Sequence, residues 1–189
     1  MTETPNPHII DADTLTGEMQ PIRRCVVAIG SNLGDRLENL QGAVNYLADT
    51  PDVFVTSVSP VYETEPVDAP EGSQDFLNAV VLLDTTLAAR TLVDRALAIE
   101  DAYGRVRTGQ YAAPRTLDVD VITVGDRRSE SEDLMLPHPK AAQRAFVLAP
   151  WHDIEPDAEL LDAGPVVELL AKTGLEGVRR RDDLSLNLQ

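Results

Sequence analysis

Apolar and polar positions change their spacing several times along the chain, and each change marks an element. Residues 22–29 (IRRCVVAI) form a β-branched run that predicts a strand. The small-residue turn GSNLGDR follows, and Leu33, Leu37, Leu40, Val44 and Leu47 then recur at helical spacing. Asp35 with Glu38 three residues on forms a capping box at the start of that helix. The stretch TPD at 50–52 breaks the period, and VFVTSVSPVY (53–62) predicts a second strand. A loop rich in proline, glycine and acid spans 63–74, before a third strand over 75–85 (DFLNAVVLLDT). Residues 86–102 return to helical spacing, with Leu92, Val93, Ala96, Ile99 and Tyr103 as the buried face. A basic, glycine-containing loop over 104–114 (GRVRTGQYAAP) leads into PRTLDVDVITVGD (114–126), the fourth long strand.

The order β-α-β-β-α-β is the split βαβ, or ferredoxin-like, arrangement. It predicts an α+β fold in which helices cover one face of an antiparallel sheet. Beyond it, DLMLPHPKAAQRAFVLAP (133–150) predicts a short strand, a turn at Pro137–Pro139 and a short helix. Leu169 and Leu170 belong to a further helix before a polar tail. Residues 1–21 keep no period and end in proline, which predicts a loosely attached extension to a single domain over 22–189.

Composition narrows the class. With 43% apolar and 25% charged residues, a chain of 189 is a globular protein able to bury a real core. The start has no basic region followed by an apolar run, and no segment approaches the roughly 20 apolar residues of a membrane span. Cys25 is the one cysteine, so no intrachain disulfide forms; a small buried strand residue in a reducing, cytoplasmic setting is expected. A formal charge of −16 argues against nucleic-acid or anionic-membrane binding, which work through a basic field. It leaves room for a polyanionic small molecule, because Arg105, Arg107, Arg115 and Arg144 gather near the segments of interest.

The chemistry concentrates in the fourth strand. Asp118 and Asp120 alternate with Leu117, Val119 and Val121, so both carboxylates point to one side. A solvated strand face and a Mg²⁺ platform both fit a bare D-x-D. Arg105-x-Arg107 with Arg115 fits helix-end capping or a phosphate clamp of paired guanidinium hydrogen bonds. Carboxylates beside such arginines are the normal equipment of phosphoryl transfer. GSNLG is no Walker A loop, since no G-K-[ST] follows, and points instead to tight packing. His138, between two prolines, binds a ligand or caps a turn, and no zinc spacing or G-x-S-x-G motif is present.

Taken together, AIGSNLG (28–34), VYETEP (61–66), DFLNAVV (75–81), E-x-x-x-G-R-V-R (100–107), PRTLDVDVI (114–122) and LPHP with R-x-F (136–139, 144–146) resemble the 6-hydroxymethyl-7,8-dihydropterin pyrophosphokinase family of folate biosynthesis. The pieces occur in family order over about residues 24–150. The resemblance implies a ferredoxin-like monomer that transfers pyrophosphate from ATP to the pterin hydroxymethyl group and leaves AMP. It implies Asp118 and Asp120 as ligands of two Mg²⁺ ions, Arg105 and Arg115 as phosphate contacts, and Arg107 on a catalytic loop. Glu100, Val121, His138 and Arg144 fall on the nucleotide side. Thr64, Glu65, Pro66, Val67, Phe76 and Asn78 fall on the pterin side, with Phe76 stacked on the ring and Asn78 on its amide edge. The chain departs from the family at Ala112, where a tryptophan is usual, at Leu97, where many members carry glutamine, and at Asp133, in place of an arginine. Two rivals remain: a non-catalytic module of the same fold, and a kinase that moves a single phosphoryl group and leaves ADP.

Overall fold

The computed structural model describes residues 20–66, 70–104 and 116–188. Most of the predicted extension 1–21 lies outside them. The predicted order is met by β1 (Arg23–Ser31), α1 (Arg36–Asp49), β2 (Val53–Val58), β3 (Tyr62–Thr64), β4 (Phe76–Thr85), α2 (Ala89–Ala102) and β5 (Asp118–Val124). The strands form one antiparallel sheet in which β4 pairs β1 along one side and both β2 and β3 along the other, while β5 lies on the far side of β1. This is the α+β, ferredoxin-like arrangement.

The second strand is divided where the sequence predicts one piece. Pro60 has no N–H to give to the ladder, and Ser59 bridges the gap. Its N–H donates to the Val80 carbonyl at 2.9 Å, and its hydroxyl accepts from the Val80 N–H at 2.8 Å. α1 begins later than the apolar stripe suggests. The Asp35 side chain caps it by accepting from the Glu38 N–H at 3.1 Å, so Leu33 lies before the helix and is 45% exposed. Leu40, Ala43, Val44 and Leu47 form its buried face. α2 buries Leu92, Ala96 and Ile99 as expected, with Val93 and Tyr103 packed at the margin.

Helices cover both faces of the sheet, not one. Cys25, Val27 and Ile29 of β1 and Leu77, Ala79, Val81 and Leu83 of β4 pack with α1 and α2. The alternate residues Val26, Ala28, Val80 and Leu82 pack under a second layer. That layer follows two hairpin strands, β6 (Ser129–Ser131) and β7 (Leu134–Leu136), and consists of α3 (Ala145–Ile154) and, after the short pair β8 (Glu159–Leu160) and β9 (Gly164–Pro165), α4 (Val166–Thr173). Trp151 of α3 is 2% exposed and carries much of this contact. The polar tail also differs from expectation. β10 (Val178–Arg180) pairs antiparallel with β3, and Leu184 and Leu186 pack on the α1–α2 core. Among the described residues no helix is long and apolar enough to cross a membrane.

Candidate active site

Strand alternation divides β5 between core and site. Val119 and Val121 enter the core under α1 and α2, while Ile122 is buried on the opposite face against α3 and α4. Asp118 and Asp120 share the Ile122 face but lie beyond the helical cover, and both are half-buried. Their cross-strand partners are Gly30 and Ala28 of β1, so the surface beside the carboxylates is low. The same row continues from Gly30 to Asn78 of β4, and from Asn78 to Tyr62 of β3. One transverse row thus joins the aspartate platform to the predicted pterin side.

Gly30 is small because Asn78 needs the space. A Cβ at Gly30 would stand 2.9 Å from Asn78 Oδ1 and 3.6 Å from the Phe76 ring. Asn78 is 6% exposed, and its Nδ2 donates to Thr64 Oγ1 at 2.9 Å, which fixes the direction of the amide. Thr64 stands opposite Phe76 in the ladder, so Thr64, Phe76 and Asn78 share one face. Glu65 and Pro66 continue from β3 at the surface. Val67 lies outside the described residues.

On the predicted nucleotide side, Glu100 is 2% exposed, and its Oε2 accepts from the Val119 N–H at 2.9 Å. This carboxylate therefore grips the main chain between the two aspartates. The Val119 N–H points away from β1, and alternation sends the Val121 main chain to the same open edge, while the Val121 side chain stays in the core. The His138 N–H donates to the Ile122 carbonyl at 2.8 Å, which anchors the imidazole two residues beyond Asp120. Its Nδ1 accepts from the Lys140 N–H at 3.2 Å, which assigns the ring proton to Nε2. Burial, with the charges of Arg144 and Lys140, brings the imidazole down to about 4, so it is neutral at pH 7. The Arg144 guanidinium stacks over Phe146 at 5.6 Å from the ring centroid. Arg105, Arg107 and Arg115, with Tyr111 and Ala112, lie outside the described residues.

Several supports carry no local signal in the sequence. Asn39 of α1 donates to Ser31 Oγ, to the Leu33 carbonyl and to the Thr116 carbonyl at 3.0–3.2 Å, tying the GSNLG turn to the entry of β5. Tyr62 donates to Asp153 Oδ2 of α3 at 2.6 Å, and burial together with that carboxylate raises its phenol far above the ordinary range. Asp133 accepts from Arg90 of α2 at 2.7 Å, in the exposed margin of the fold. A cavity of about 670 Å³ between α1 and α2, lined in part by Gly42, Tyr46 and Tyr103, contains none of the predicted site residues. No group of three metal-type side chains occurs among the described residues, and Asp118 with Asp120 remains a pair.

Comparison with known proteins matches residues 26–156 to the family model of 7,8-dihydro-6-hydroxymethylpterin-pyrophosphokinase. The chain is similar to the 2-amino-4-hydroxy-6-hydroxymethyldihydropteridine pyrophosphokinase of Pseudomonas aeruginosa, 40% identical over 159 residues, covering 84% of this chain and 97% of that one. The enzyme of the same name from Mycobacterium leprae is 47% identical over 173 residues, 82% of this chain and 87% of the other. Among solved structures, a Plasmodium falciparum HPPK-DHPS triple mutant with pteroate aligns at a TM-score of 0.63 and 13% identity, over 86% of this chain. The alignment spans about half of that longer protein, 47%, and speaks for the fold alone. On the length and identity of the sequence matches, the chain belongs to the 7,8-dihydro-6-hydroxymethylpterin-pyrophosphokinase family.

Proposed function

We propose that this chain transfers the pyrophosphoryl group of ATP to the hydroxyl of 6-hydroxymethyl-7,8-dihydropterin, giving AMP and the pterin diphosphate. Family membership supports a pyrophosphokinase acting on a pterin. The observation that carries the finer reading is the transverse row in which Asp118, Gly30 and Asn78 lie side by side. It spans in one line the two functions such a transfer needs, a carboxylate platform and a polar fork for a flat heterocycle.

Asp118 and Asp120 fit Mg²⁺ by donor type: hard carboxylate oxygens on one face, beside residues without bulk. Two bound magnesium ions would offset phosphate charge and lower the pKa of the acceptor hydroxyl. The remaining work falls to the chain's own residues. Arg105 and Arg115 hold phosphate oxygens as paired donors, and Arg107 follows the charge as it moves to the leaving AMP. Glu100 acts through β5, holding the strand between its two aspartates. Neutral His138 offers its Nε2 proton as a hydrogen-bond donor to the nucleotide beside Arg144, and Val121 contributes main-chain groups. Across the row, Phe76 stacks on the pterin, Asn78 reads its amide edge in the direction set by Thr64, and Glu65, Pro66 and Val67 close that side. In the transfer, the hydroxyl oxygen bonds to the β-phosphorus, the bond from that phosphorus to the bridging oxygen breaks, AMP keeps that oxygen, and the hydroxyl proton passes to solvent. Residues 22–189 act as one domain and as a monomer.

The test is product analysis with ATP, Mg²⁺ and the hydroxymethyl-dihydropterin. AMP with the pterin diphosphate is the expected outcome. ADP would transfer the assignment to a single-phosphoryl kinase, and no turnover would favour a binding module. Asp118→Asn with Asp120→Asn is expected to lower kcat by about 10²–10³-fold or more, the scale of losing preorganised charge stabilisation.

A further inference from the structure

Glu63 faces away from the site, on the α1 side of β3, and is 5% exposed. A carboxylate so buried needs partners, and three arginines supply them. Arg36, at the start of α1, donates to Glu63 Oε2 at 3.0 Å. Arg181 donates to the same oxygen at 2.7 Å, and Arg179 donates to Oε1. Burial alone would raise the Glu63 carboxyl, but the Arg36 hydrogen bond and the charges of Arg179 and Arg181 outweigh it and hold the group below the ordinary glutamate range.

The cluster grips more than Glu63. The same Arg36 nitrogen donates to the Asp75 carbonyl at 2.8 Å, and Arg179 pairs with the Asp75 carboxylate at 3.7 Å. Glu63 and Asp75 each stand one residue before a cross-strand partner on the opposite face, Thr64 and Phe76. They also flank the segment 64–74. Two guanidinium groups therefore span both flanks from behind the sheet, while the front carries Thr64, Phe76 and Asn78. Main-chain bonds add to the hold: β10 pairs Arg179 with Glu63, the Glu65 N–H donates to the Gly177 carbonyl, and the Arg181 N–H donates to the Val61 carbonyl.

We infer that Glu63, Arg36, Arg179 and Arg181 form a positioning clamp that sets the pterin side of the site, and that β10 and the residue after it supply two of its three arginines. Those two lie beyond residue 156, outside the stretch that matches the family model. The clamp acts through Thr64 and Phe76 and touches no substrate itself. Assigning pterin to that face rests on the proposed function.

The test compares the full chain with Arg179→Gln/Arg181→Gln and with Arg179→Lys/Arg181→Lys. Each is assayed for AMP formation at least about 10 °C below its own melting midpoint. The glutamine variant is expected to raise the KM for pterin about tenfold, the scale of losing charged hydrogen bonds, with the KM for ATP within about twofold of the parent. The lysine variant keeps the charge without the planar fork and is expected to recover part of the loss. A glutamine variant that lowers only the melting midpoint, or raises both KM values together, would overturn the clamp. Should that double variant fail to fold, Arg179→Gln alone carries the same criterion, because this side chain is 58% exposed and its loss spares the core. A parent chain that forms no AMP would overturn the proposed function and the clamp together. A parent that forms AMP beside an unchanged variant would overturn the clamp alone.

Discussion

At the scale of residues, the proposed site depends on an absence as much as on its carboxylates. Gly30 has no Cβ, and the space goes to an Asn78 amide already tied to Thr64. Gly30→Ala is expected to push that amide out of direction and to overpack the row, at a cost of about 1–3 kcal/mol in stability. Pterin affinity should fall about tenfold in direct titration, with nucleotide affinity changed less, since the atoms nearest the added methyl belong to Asn78, Phe76 and Leu77. Equal losses for both ligands would mean that the row does not separate the two substrates. His138 makes a pH prediction. Its proton affinity is depressed to about 4 in the fold, against about 6.5 unfolded, so the unfolded chain binds the extra proton first. The stability that the neutral imidazole contributes is complete above about pH 6.5 and is lost as pH falls toward 4. Melting midpoints of the parent and His138→Gln should therefore converge, or cross in favour of the variant, through that window. A constant gap would remove the shift.

At the scale of elements, β5 is held from its edge. The Val119 N–H has a buried carboxylate as acceptor, so Glu100→Ala leaves it unsatisfied and is expected to cost about 1–3 kcal/mol in urea unfolding. Glu100→Gln keeps a carbonyl oxygen there and should recover most of that stability. If both variants lose equally, the charge of Glu100 matters and its acceptor oxygen does not. The strand itself was legible because a two-residue period fixes which side chains share a face, whatever the rest of the fold does. Its supports were not legible. Glu63 meets Arg179 and Arg181 across 116 and 118 residues, and Tyr62 meets Asp153 across 91, so the pairs exist only once the sheet is assembled. VRR at 178–180 carries no apolar alternation. It is a strand because β3 offers an open edge and Glu63 stands opposite Arg179. The second helical layer did leave a trace. CVVAI and AVVLL are continuous apolar runs, as expected of strands buried on both faces, and a sheet covered on one side only would alternate.

At the scale of the whole molecule, two cores on opposite faces of one sheet make β1 and β4 a rigid midplane, and the row from Asp118 to Tyr62 crosses it where the α3–α4 layer stops. Substrates bound there would touch β3, β4, β1 and β5 together, so binding should stabilise the fold as a unit. The chain carries −16 overall, and a polyphosphate alone meets an unfavourable field with two aspartates at its centre. Magnesium and nucleotide should therefore stabilise the protein together far more than either does alone. A ligand at a hundred times its Kd adds about 2.7 kcal/mol, and for a chain of this size each kcal/mol moves the midpoint about 2–4 °C. The expected shift with Mg²⁺ and a non-hydrolysable ATP analogue is thus about 5–10 °C in a thermal melt. Asp118→Asn/Asp120→Asn should abolish the Mg²⁺-dependent part of that shift. Arg179→Gln/Arg181→Gln should keep it, because the proposed clamp lies on the α1 face of the sheet and the aspartates on the other. An undiminished shift in the aspartate variant would move the metal site elsewhere on the molecule.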